Sequence, residues 1–148
     1  MDLITILSRV ELFDGLTEDE LQAVSRICRQ ETFQAGDVIT RQGTSGDEIY
    51  VICEGLVEVV HGGPGEEVAP RTFVRLGRGQ LFGEMALVDH GPRSATVRSV
   101  SDGTAVQVLK NDEFEDLCEA NHHMGYVVMR NMAADLSFKL RHRNLSGH

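Results

Sequence analysis

The chain has 148 residues, 41% hydrophobic and 25% charged, enough for one domain around one buried core and too few to expect two. Its formal net charge of −9 argues against a non-specific grip on nucleic acid or anionic lipid, since both need basic surfaces. Three scattered cysteines, Cys28, Cys53 and Cys118, make neither a CxxC metal knuckle nor a complete disulfide framework, and fit a reducing cytoplasm.

The first segment, MDLITILSRVELFDGL, carries Asp2, Arg9 and Glu11 inside its apolar run and so reads as neither a signal peptide nor a membrane span. Thr17 and Glu20 then form a capping-box pattern ahead of Leu21, Val24 and Ile27, which predicts a helix to about residue 29. Helical structure is therefore expected over about residues 1–30. From Thr32 to Leu109 the pattern changes to short β-branched runs: VITR, EIYVIC, GLVEVV, RTFVRL, ATVRSV and TAVQVL. Seven glycine-bearing breaks separate them, and no helix of ordinary length fits between. One of these breaks, HGGPGEE, reads as a hairpin loop whose glycines serve turn geometry rather than a phosphate. Many short strands at spacings of roughly ten residues predict a jelly roll or related barrel over about 31–109.

Helical spacing returns at about Lys110 and is expected to persist to about 143. Phe114, Leu117 and Cys118 share one face, and Met124, Val128, Met132, Leu136 and Leu140 form a stripe at four-residue steps. The stripe reads as core contacts or a packing seam, with pairing of two copies through this last helix left open. Lys139, Arg141 and Arg143 are favourable cations for a helix C-terminus. The expected architecture is one mainly β domain over 1–148, a jelly-roll β-barrel flanked by N-terminal and C-terminal helices.

The stretch FGEMALVDHGPRSATV, residues 82–97, concentrates the chemistry. Leu81 and Phe82 anchor it in the core, and Gly83 lets backbone approach a bound group with no Cβ in the way. A single helical turn follows, stopped before Gly91 and Pro92, and its N-terminus offers unpaired amides to a phosphate. Arg93 adds a permanent, forked cation and Ser94 a hydroxyl donor. Glu84 would repel the same phosphate unless it faced a hydroxyl-bearing part of the ligand, which points to an anion carrying a sugar.

These residues resemble the phosphate-binding cassette of the cyclic-nucleotide-binding domain family, of the catabolite activator protein and protein kinase A regulatory subunit type. FGEMAL, the loop VDHG and PRSATV match its pattern, and LFDGLTEDEL, AGDVITRQGTSGDEIYVICEGLVEV and LGRGQLFGE extend the likeness over about residues 12–120. The resemblance implies a β jelly roll flanked by helices. It also implies that Glu84 accepts from the ribose 2′-hydroxyl, that Arg93 pairs with the cyclic phosphate, and that Ser94 with the backbone of Gly83, Met85 and Ala86 completes the phosphate shell. In this family the last helix swings over the purine and passes the signal on; Tyr126, Val127 and Met129 are candidates for the base contact, without a shared motif to choose among them. Ser94 leaves cyclic AMP and cyclic GMP open, with cyclic AMP favoured. The ligand is the only small molecule implied, and no cofactor is expected.

Competing classes fare less well. Asp89, His90 and Ser94 have the composition of a catalytic trio, but the first two sit side by side on a short loop, where side chains diverge. His122 and His123 point to different sides of a helix, and histidines 61, 90, 122, 123, 142 and 148 lack the spacing of a metal-dependent jelly-roll enzyme, so neither metal nor catalysis is expected. A jelly roll kept only for protein contact would be favoured by loss of Glu84 or Arg93, and both are present. The last helix is followed only by RHRNLSGH, which leaves no room for a helix-turn-helix, so DNA binding is not expected. Free-standing use and service as a module of a channel, transporter or kinase both stay open, as does the effector.

Overall fold

A computed structural model of the chain describes residues 1–61 and 71–145. Helix α1 (Leu3–Ser8) opens on Asp2, whose side chain accepts from the Thr5 amide, and a 3-10 turn (Glu11–Phe13) leads to α2 (Glu18–Arg26). The expected capping box is formed: the Thr17 hydroxyl accepts from the Glu20 amide at 3.2 Å and the Glu20 carboxylate from the Thr17 amide at 2.8 Å. The helix ends three residues short of the predicted limit because Arg29 already belongs to a strand.

Among the described residues eight strands follow: β1 (Arg29–Phe33), β2 (Val38–Thr40), β3 (Glu48–Glu54), β4 (Val57–His61), β5 (Arg71–Leu76), β6 (Leu81–Phe82), β7 (Thr96–Ser99) and β8 (Thr104–Lys110). They form two four-stranded antiparallel sheets, in the orders β1-β8-β3-β6 and β2-β7-β4-β5. This is the predicted mainly β jelly roll, with one turn of helix, α3 (Ala86–Asp89), between β6 and β7, and α4 (Asn111–Ala120) and α5 (His122–Leu145) at the end. Two strands lie outside the β-branched runs named above: β1 is the polar edge RQETF, ordered by its ladder to β8, and β6 is two residues held against Tyr50 and Val51. The HGGPGEE connection, apart from His61, lies outside the described residues.

The expected single core is instead two clusters, one on each face of the first sheet. Ile49, Val51 and Leu109 face the helices, among Leu7, Phe13, Val24, Phe114, Met124 and Val128. Tyr50, Ile52, Val106 and Val108 face the interior of the roll, with Val57, Phe82 and Val97. Burial on both faces explains why β3 and β8 read as nearly continuous apolar runs rather than alternating ones.

Candidate ligand site

The short strand β6 delivers the FGEMAL segment. Phe82 stands opposite Tyr50 in the ladder, and their rings stack at 4.8 Å with 8° between planes. The chain then turns through Gly83 at φ +87°; a Cβ there would come within 2.7 Å of the Glu48 carbonyl oxygen and 2.8 Å of Arg93 Nη1. Met85 caps α3, so the turn starts at Ala86, two residues after the carboxylate. The Met85 and Ala86 amides have no acceptor among the described residues. Met85 is exposed and Ala86 buried. His90 ends the turn in the left-handed region at φ 53°, and the Gly91 amide donates to Asp89 Oδ1 at 2.8 Å.

Arg93 is clipped by its backbone to the loop before β3: its amide donates to Thr44 O and its carbonyl accepts from the Gly43 amide, both at 2.8 Å. The guanidinium donates through Nη2 to Glu48 O at 2.9 Å and through Nη1 to Gly83 O at 3.4 Å, and lies 5.9 Å from the centre of the Tyr50 ring. A Cβ on Gly46 would fall 2.2 Å from Arg93 Nε, so the absence of a side chain at Gly46 is what admits the cation. Among the described residues no carboxylate lies within ion-pair distance of Arg93. A depression of about 350 Å³ opens beside it, lined in part by Ile39, Thr40, Ser45 and Tyr50. Burial, followed by the neighbouring Glu48 carboxylate, pushes the Tyr50 phenol up to about 12, so its hydroxyl remains a donor, here to Glu48 Oε1 at 3.1 Å.

Glu84 follows Gly83 and is half-buried. Burial pushes its carboxyl above the ordinary range; a hydrogen bond from its own backbone amide, then Lys139 and Arg93, pull it down, and Asp135 pushes it further up. Lys139 and Asp135 belong to α5, where they pair with each other at 2.9 Å, so the distal half of α5 already sits within electrostatic reach of Glu84. Ser94 is exposed, with no hydrogen bond among the described residues.

The structure thus brings Gly83 and Arg93 into contact, with Glu84, Met85 and Ala86 adjoining. Gly46, Tyr50 and the Glu48 carbonyl were not foreseen: QGTSGDE reads as an ordinary turn, and a Tyr in an apolar strand reads as core. Of the candidates for catalysis or metal binding, Asp89, His90 and His123 are engaged elsewhere. His90 faces Glu115 of α4 at 3.3 Å, and Asp89 serves its own turn, so the two do not converge with Ser94. His123 is bonded to Glu20, and no cluster of three metal-binding side chains occurs among the described residues. Of the three base-contact candidates, Tyr126 and Met129 are exposed on α5, whereas Val127 lies against the Gly15 turn. No helix of the described residues is long and apolar enough to cross a membrane.

A family model described as cyclic nucleotide-binding domain matches residues 30–121, more than half of the chain. The chain belongs to the cyclic nucleotide-binding domain family. Among members of this family, a cGMP-dependent protein kinase of Caenorhabditis briggsae (egl-4) is 35% identical over 115 residues, covering 78% of this chain and 15% of the kinase. The catabolite activator protein of Thermus thermophilus superposes with a TM-score of 0.78 at 32% identity, over 92% of this chain and 61% of that one. The regulatory domain of Toxoplasma gondii PKA, solved with cAMP, gives 0.70 at 30% identity, over 78% and 42%. The chain therefore spans a minor part of the kinase's length.

Proposed function

We propose that this chain is a non-catalytic sensor that binds a cyclic nucleotide, with cyclic AMP favoured over cyclic GMP, and signals through α5. The observation that carries the reading is Arg93. A guanidinium fixed by two carbonyls and an aromatic face, with no carboxylate partner among the described residues, keeps its charge for an incoming anion. Gly83, Met85, Ala86 and Ser94 surround the cyclic phosphate in this reading, and Glu84 takes the ribose 2′-hydroxyl. The relay is supported by the asymmetry of α5: Met124, Val128 and Met132 are buried in the helical cluster, whereas Phe138 and Leu140 are exposed. A ligand that contacts the distal half shifts its position to the extent that it binds one position better.

Tyr126, Met129 and Leu140 fall on one side of α5 and are exposed, which supports pairing of two copies through that side. The relatives' own ligands, cGMP by the kinase's name and cAMP in the parasite domain, leave the purine to be measured. Calorimetric titration of cyclic AMP and cyclic GMP into the wild type and Arg93→Ala tests the whole reading. We expect heat with at least one nucleotide and its loss in Arg93→Ala. No heat with either at millimolar concentration removes the sensor reading and leaves a jelly roll used for protein contact.

A further inference from the structure

We infer that Arg29 and Tyr50 set the affinity of Arg93 for an anion by holding the Glu48 carboxylate away from it. The inference rests on the reading of Arg93 as the phosphate partner. Glu48 plays two parts at the start of β3. Its carbonyl accepts from Arg93 Nη2 at 2.9 Å, while its carboxylate is taken by Arg29 Nη2 at 2.5 Å and by the Tyr50 hydroxyl at 3.1 Å. The acid therefore belongs to the very residue on which Arg93 rests, and its second partner is the hydroxyl of the ring beneath that guanidinium. Yet among the described residues no ion pair joins Glu48 to Arg93.

The consequence follows from competition. A carboxylate tethered this close acts at the high effective concentration of an intramolecular group, and once loose it would compete with a free anion for the same forked donors. The Arg29–Glu48 pair is half exposed on the arginine side, 48% against 23%, and pairs of that kind contribute little to stability. Its effect is to keep the Arg93 charge unspent. Arg29 lies at the first residue of the edge strand β1, across β8 from β3, and is a positioning residue that need not touch the ligand.

The test uses the full chain. Arg29→Ala, and separately Tyr50→Phe, should weaken cyclic AMP binding by roughly three- to fivefold, the scale of an exposed ion pair. Arg29→Lys should keep wild-type affinity. Glu48→Gln removes the competitor, so Arg29→Ala should cost nothing in that background, whereas a merely structural role for Arg29 would cost the same in both. The ligand-free protein provides a second measurement: the Arg93 side-chain Nε resonance should move in Arg29→Ala and return in the double variant. Arg29→Ala weakening binding equally in both backgrounds, or a resonance that stays in place, overturns the inference. If the wild type binds neither nucleotide, the sensor reading fails, and the resonance still decides whether Glu48 reaches Arg93.

Discussion

Burial raises the Glu84 carboxyl above its ordinary value of 4.5, and that direction has two consequences of opposite sign. A group whose folded-state pKa is raised contributes most to stability below its unfolded value, and that contribution is lost as pH rises through the folded value. Ionised Glu84 thus weakens the ligand-free fold at neutral pH. Glu84→Gln should raise the Tm at pH 7, with the gain shrinking toward pH 4, as scanning calorimetry across that range would show. The same carboxylate is proposed to hold the ribose. A 2′-deoxy cyclic nucleotide should bind the wild type more weakly by about 1–3 kcal/mol, the cost of leaving a partly buried polar group without its partner. Equal affinity for the two nucleotides removes Glu84 from the sugar contact. The meeting of Gly83 with Arg93 was legible in the sequence because FGEMAL and PRSATV carry the two residues. The cradle of Arg93 was not, since Gly46, Glu48 and Tyr50 meet it only after the roll closes.

At the scale of elements, side-chain hydrogen bonds fasten α5 and the residue before it to the N-terminal segment, beyond their apolar packing. The Glu20 carboxylate accepts from Asn121 Nδ2 at 2.8 Å and meets His123 Nδ1 at 2.9 Å, and Asn131 Nδ2 donates to the Leu12 and Asp14 carbonyls at 2.9 and 2.8 Å. The Asn121 side chain in turn accepts from the Met124 amide, so one latch both caps α5 and fastens its base to α2. Burial alone would raise the Glu20 carboxyl, but hydrogen bonds from Thr17, His123 and Asn121 and the His123 charge outweigh it, and the net shift is downward from 4.5. Stability from Glu20 is then fully present above the unfolded value and lost as pH falls through the lower folded one. Urea midpoints measured from pH 6 to pH 3 should fall less steeply in Glu20→Gln than in the wild type. Thr17→Ala removes the reciprocal bond and should cost about 1 kcal/mol. The capping box was legible from Thr17 and Glu20 alone. The second use of Glu20 was hidden because its partners lie 101 and 103 residues further on. In the same way, β1 was illegible in RQETF because its backbone ladder to β8, rather than its side chains, makes it a strand.

For the whole molecule, the proposed pairing through α5 predicts a concentration-dependent rise in sedimentation coefficient that Tyr126→Glu and Met129→Glu abolish. A monomer at every concentration removes that proposal. The three cysteines are free, and burial pushes Cys28 up to about 12 and Cys118 up to about 11, so both should react slowly with iodoacetamide at pH 7 until the fold is denatured. The jelly-roll class was legible because glycine breaks and β-branched runs alternate along the chain. The division into two cores was not, since period-2 patterning disappears when both faces of a sheet are buried. That shared sheet ties recognition to folding. Along β3 the residues go alternately to the helices and to the roll, Ile49 and Val51 to one side, Tyr50 and Ile52 to the other. Slipping the pairing by a single residue would bring Ile49 beneath Arg93 and bury a phenol among the helices. The cation cradle is thus also a proofreader of strand alignment: a misregistered molecule could be compact and still be deaf to its ligand.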